Sequence, residues 1–173
     1  MRAKILQFLS LSLLIVGMVV TTSCSNPQKV AEKTLNKNGY EFTPAGFVMA
    51  AGGGDLDAIK LFDQGLMDVN SADENGTTPL IAAAAAGRMD AVTQLLGMGA
   101  DPRFLDKQGR DALISASGNG HVDVARLLLS RGGSFGHKDE SGWNALSLAA
   151  FNGHDEVIKL LGGRADQPCI VNP

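Results

Sequence analysis

The chain has 173 residues and a mass of 18.1 kDa, which is room for one modest domain plus a leader and too little for a multidomain machine. Hydrophobic residues make up 45%, enough for a packed core and too many for wholesale disorder. Fifteen Lys and Arg stand against eighteen Asp and Glu, a net charge of -3 with no basic stripe, so nucleic acid, whose phosphates dominate affinity, is a poor partner; two Cys exclude a disulfide scaffold.

Residues 1–23 read as an export signal. Arg2 and Lys4 precede an uncharged, largely apolar run from Ile5 to Val20, and its 16 residues fall short of the ~20 that span a bilayer core. A cleaved signal fits better than a permanent anchor. The run ends in Thr21-Thr22-Ser23-Cys24, which resembles the lipobox of bacterial lipoproteins, with Thr21 where that family prefers Leu. The resemblance implies a diacylglycerol on the Cys24 thiol, cleavage just before it and an acylated new N-terminus. The alternative is an ordinary secretory signal cleaved nearby, giving a soluble periplasmic or secreted protein. Ser25 rather than Asp after the Cys favours the outer membrane, if the source has one. Residues 24–40 are polar and read as a lipid-anchored tether; three Lys come within reach of anionic head groups, but a solvated linker is the preferred reading.

From there the sequence repeats itself. Gly76, Gly109 and Gly142 are 33 apart, and the same step relates Leu80, Leu113 and Leu146, then Gly87, Gly120 and Gly153, then Leu95, Leu128 and Leu161, then Asp73, Asp106 and Asp139. Phe47, Gly54, Asp57 and Phe62 extend the columns one step back, so the domain 41–172 divides into units 41–72, 73–105, 106–138 and 139–171. Each unit opens on turn chemistry, as in Asp73-Glu74-Asn75-Gly76. Thr78, Asp111 and Asn144 are N-caps for a short Ala-rich helix that Gly87, Gly120 and Gly153 stop. A second helix follows, with Asp90, Asp123 or Glu156 at its positive end and apolar residues such as Val124, Leu127 and Leu128 in one stripe. Gly99 and Gly132 end it.

The segments DENGTTPLIAAAAAGRMDAVTQLLGMGAD, DKQGRDALISASGNGHVDVARLLLSRGGS and DESGWNALSLAAFNGHDEVIKLLGGRAD resemble ankyrin repeats over about 41–171. The resemblance implies an all-α solenoid of about four helix-turn-helix repeats linked by β-hairpin-like loops. It also implies protein binding on the concave face, made by hairpin tips and the open side of the first helices. Carried over by column, the contact residues are Leu105, Lys107 and Arg110, then Lys138, Trp143, Phe151 and Asn152. Leu105, Arg110, Trp143 and Phe151 converge on one area, with Arg110 pairing a carboxylate of the partner. Phe104 stands where the family favours a small residue and reads as core rather than surface. Ile81, Ile114 and Ser147 replace the family's His after the helix start, removing its bonds between units. Unit one moves its helix start two residues earlier, to Thr43-Pro44, and both ends of the array are expected to fray.

Catalytic and metal chemistry finds little support. His121 and His154 lie one unit apart, about 10 Å by the usual spacing of packed elements, too far to share a zinc ion, and read as helix-entry residues. His137 lies in a different column with no Cys or His cluster around it. Gly52-Gly53-Gly54 lacks the pattern of a phosphate loop and falls at a helix end. Cys169 is a lone thiol. The expectation is a non-enzymatic, monomeric protein-binding module of the bacterial envelope, with no cofactor and no metal, facing the periplasm. An immunity or inhibitor protein that occludes an envelope-acting enzyme is the alternative, and a small metal enzyme using His121, His154 and Asp155 a more distant one.

Overall fold

The computed structural model describes residues 26–162; the leader, Cys24 and Cys169 lie outside them. Among the described residues there are nine α-helices and no strand. They are α1 (Pro27–Lys37), α2 (Pro44–Gly53), α3 (Leu56–Gln64), α4 (Pro79–Ala85), α5 (Met89–Gly97), α6 (Ala112–Gly118), α7 (Val122–Ser130), α8 (Ala145–Phe151) and α9 (Asp155–Gly162). The four pairs from α2–α3 to α8–α9 are the four units. Inner helices α2, α4, α6 and α8 pack in one row and outer helices α3, α5, α7 and α9 in another. The result is the all-α solenoid implied by the columns.

Local chemistry starts and stops the helices where the repeat places it. Thr43, Thr78, Asp111 and Asn144 each accept a hydrogen bond from the backbone N–H three residues on. Ser147 returns a hydroxyl to the Asn144 N–H, completing a capping box. Pro44 and Pro79 occupy first-turn positions, where no N–H is needed. Leu80, Val92, Leu95, Leu113, Ile114, Leu128, Val157 and Leu161 fill the interior between units, and stacked Phe42, Phe62 and Phe47 fill it in unit one. Leu146 keeps its column but is only half-buried, because no further unit covers α8 among the described residues.

A second set of bonds runs from each unit to the one before. Arg88 Nε donates to the Gly52 carbonyl at 3.2 Å, and His121 and His154 Nε2 meet the Ala85 and Gly118 carbonyls at 3.1 and 2.9 Å. Donor and acceptor are 36 residues apart each time, so one column of side chains reads one column of carbonyls at the end of the preceding inner helix. Arg88 and His121 sit at the N-cap positions of α5 and α7 without a side-chain capping bond. They supply contacts between units in an array where Ile81 and Ile114 are buried apolar side chains. Two of the glycines before these donors, Gly87 and Gly120, carry two constraints. Gly87 has φ +68 and Gly120 +78, and a Cβ there would stand 2.5 and 2.7 Å from Nδ1 of His121 and His154.

Two features depart from expectation. Residues 27–37, read as part of a solvated tether, form α1, with Asn26 as N-cap. Its Ala31 and Leu35 are buried, Leu35 fully, and it packs on α3. Two apolar residues four apart suffice once α3 offers a surface to cover, so α1 covers the outer helix of the first unit. In addition, Leu66 holds φ +65 in the column where Gly99 and Gly132 follow. Left-handed backbone costs a non-glycine residue about 1 kcal/mol, and Leu66 is 82% exposed, so little packing offsets it.

Gly153 has φ +76 but nothing within 4 Å of its would-be Cβ, which separates the two constraints. Gly153→Ala is expected to cost about 1 kcal/mol from backbone strain alone. Gly87→Ala is expected to cost about twice that in denaturant unfolding, and adding His121→Ala should remove the excess clash. Equal losses for the two glycines would contradict the ring contact.

Candidate functional site

The hairpins and the inner helices line a groove. Each hairpin is folded by its Asp. Asp73, Asp106 and Asp139 each accept, through Oδ1, from the backbone N–H groups two and four residues on, at 2.8–2.9 Å. Neighbouring tips are joined by Lys107 N–H to the Asn75 carbonyl and Glu140 N–H to the Gln108 carbonyl, both 2.9 Å. His137 Nε2 also meets the Gly109 carbonyl at 2.8 Å, tying the third unit's exit to its own hairpin.

The groove has a volume of about 300 Å³ and is lined by units two to four. Its floor is mostly small side chains, Ala82, Ala85, Ser115 and Gly118, with Ile81 beside them. Thr77, Asp106 and Arg110 form the hairpin side, and Asn119, Leu148 and Asn152 the end toward unit four. Gly118 admits Leu148, whose Cδ2 would lie 2.6 Å from a Cβ there. Trp143 and Phe151 pack at 5.2 Å between ring centroids, tilted by 53°. Phe151 nevertheless remains 74% exposed and Trp143 37%. Hairpin and inner helix of unit four thus present one aromatic pair.

The candidate contact residues divide by position. Arg110 and Asn152 line the groove; Trp143 and Phe151 do not, but they continue into unit four the columns of Arg110 and Gly118 that do. Leu105, Lys107 and Lys138 are exposed but do not line it. Arg110 already has a carboxylate within its own hairpin, since Nε and one terminal nitrogen donate to Asp106 Oδ2 at 3.0 and 2.8 Å. The Asp106 side chain is almost fully buried and satisfied by those donors together with its two hairpin N–H groups. Asn152 donates to the Gly118 carbonyl at 2.7 Å, so it also joins unit four to unit three. Phe104 is 44% exposed and belongs to the surface, not the core. Among the described residues no three His, Cys, Asp or Glu side chains could hold a metal ion.

Next to the groove, Asp111 is the strained member of the cap column. Oδ1 accepts from Ile114 N–H at 2.7 Å, while buried Oδ2 has no hydrogen-bond partner. Burial pushes its carboxyl above the ordinary range, only partly offset by the Ile114 N–H and by the charge of His137.

The sequence profile of the family described as ankyrin repeats (3 copies) matches residues 47–139 and 82–169. No curated protein matches the chain. The match spans well over half of the sequence, and the chain belongs to the ankyrin repeat family. Arrays of this family generally serve as protein–protein interaction modules rather than as enzymes.

The Asp111 geometry sets a sign for pH. A carboxyl whose folded pKa is raised binds protons more readily when folded, so it lowers stability as pH rises from its unfolded to its folded pKa. Asp111→Thr, the residue that Thr78 supplies one unit earlier, keeps the capping oxygen and removes the charge. It is expected to raise stability by about 1 kcal/mol at neutral pH, with the gain shrinking as acid protonates the native chain. A gain that is flat with pH would contradict this account.

Proposed function

We propose that this ankyrin repeat chain is a non-enzymatic binding module of the bacterial envelope, held by a lipid on Cys24, which grips a protein partner with its third and fourth units. The observation that carries the binding reading is the exposed Trp143–Phe151 pair, which continues into unit four the columns of Thr77 and Arg110 and of Ala85 and Gly118 that line the groove. Small residues let a partner's backbone come close, and the aromatic pair offers a large apolar area at one end. Trp is enriched among residues that dominate binding energy. Arg110 is held by Asp106, so it meets the partner as a fixed, partly neutralised group and not as a free cation. Lys107 and Lys138 supply the exposed positive charge nearby.

The envelope part of the proposal draws on the apolar run before Cys24 and on its lipobox-like setting. Acyl chains contribute about 0.8 kcal/mol per buried CH₂, and stable attachment takes two membrane signals.

Crosslinking the chain in its native envelope should capture one partner. Trp143→Ala and Phe151→Ala should each weaken binding of that partner at least about 30-fold, the scale of a 2 kcal/mol hot spot, without changing the unfolding midpoint. Affinities within about twofold of the parent for both variants would contradict the site. In the same cells, Cys24→Ala should abolish labelling by a palmitate analogue, and persistent labelling would contradict the anchor.

A further inference from the structure

α1 carries a charge pattern that the binding groove does not explain. Lys29, Lys33 and Lys37 are four residues apart, so at about 100° per residue they fall within about 80° of one another on one side of the helix. Buried Ala31 and Leu35 are centred on the opposite side, against α3. The lysines are all exposed, and none forms an ion pair among the described residues, whereas Lys60 and Lys159 are paired with Asp57 and Glu156. The single acid of α1, Glu32, lies on the flank near Leu35 and is partly buried. Val30, 48% exposed, adjoins the lysine face. A chain with net charge -3 therefore presents a fixed positive face, on a helix that begins three residues after Cys24.

From this placement we infer that the Lys29–Lys33–Lys37 face of α1 docks on the anionic lipid head groups of the membrane. The inference rests on the envelope reading above. Charge complementarity argues for it, and so does position: at full extension, five residues from Cys24 to Lys29 reach no more than about 18 Å. Burial of Ala31 and Leu35 against α3 joins α1 to the stack. Head groups that hold α1 then orient the whole solenoid, where a tether would let it tumble. A basic patch is also the kind of second signal that makes acyl attachment stable.

The test reconstitutes the full chain in phosphatidylcholine vesicles with and without phosphatidylglycerol and follows lysine acylation by mass spectrometry. Each lysine near an anionic surface contributes about fivefold in affinity. Lys29, Lys33 and Lys37 should be acylated at least about fivefold more slowly with phosphatidylglycerol at low salt, while Lys60 and Lys159 keep their rates. High salt should erase the difference. Equal rates in both lipids would overturn the inference. Protection that grows with protein concentration in the absence of vesicles would also overturn it, assigning the face to the acidic column Asp57, Asp90, Asp123 and Glu156 of a second copy. The Cys24→Ala chain should keep the phosphatidylglycerol dependence, so a failed anchor and a failed lysine face give different results. Loss of that dependence in the chain with Lys29, Lys33 and Lys37 replaced by Gln, with helix content unchanged, completes the expected pattern.

Discussion

Two short helices and a turn cannot bury both of their faces. Each unit here has an inner helix of seven to ten residues and an outer one of eight or nine, too short to be stable alone. The interior exists only where one unit lies on the next. Leu113 and Ile114 are fully buried in the third unit, while Leu146 and Ser147, in the same columns, are only partly covered in the fourth. Leu113 and Leu146 are the same residue in the same column, so the difference between them lies in the neighbour. The bonds from Arg88, His121 and His154 to carbonyls of the preceding unit are the polar counterpart of that dependence.

The same dependence shapes the concave side. Carbonyls at the ends of α2, α4 and α6 accept from side chains of the following unit, so these groups are paired before any partner arrives. Hairpins folded by buried or half-buried aspartates and joined tip to tip make the opposite wall stiff. A surface that loses little freedom on binding keeps more of the contact energy as affinity. What distinguishes one member of this fold from another is then the few large side chains standing on the frame. Here they are Trp143, Phe151 and Leu148 at one end and Met49, 66% exposed, in the Leu148 column of unit one.

Much of this was legible in the residue columns. A fixed period of 33 repeats an environment, so Thr78, Asp111 and Asn144 could be identified as caps although they differ in type. The meeting of Trp143 and Phe151 was legible for the same reason, since hairpin and helix columns of one unit converge. Other features were not. The Arg110–Asp106 pair depends on how a turn folds residues four apart, and the motif alone left Arg110 looking available to a partner. Nor could the helix entry residues be seen to reach the previous unit, because contacts 36 residues apart leave no local trace. α1 was hidden by its polarity: Ala31 and Leu35 are its whole buried face, and only α3 gives them something to cover.

Hydrogen exchange on a chain carrying Leu113→Ala tests the mutual dependence of the units most directly. A cavity in the third unit should lower amide protection in α4 and α8 together with α6, because the interior is shared. Loss confined to α6 and α7, with α4 and α8 as protected as before, would mean that each unit stands alone and would contradict the account.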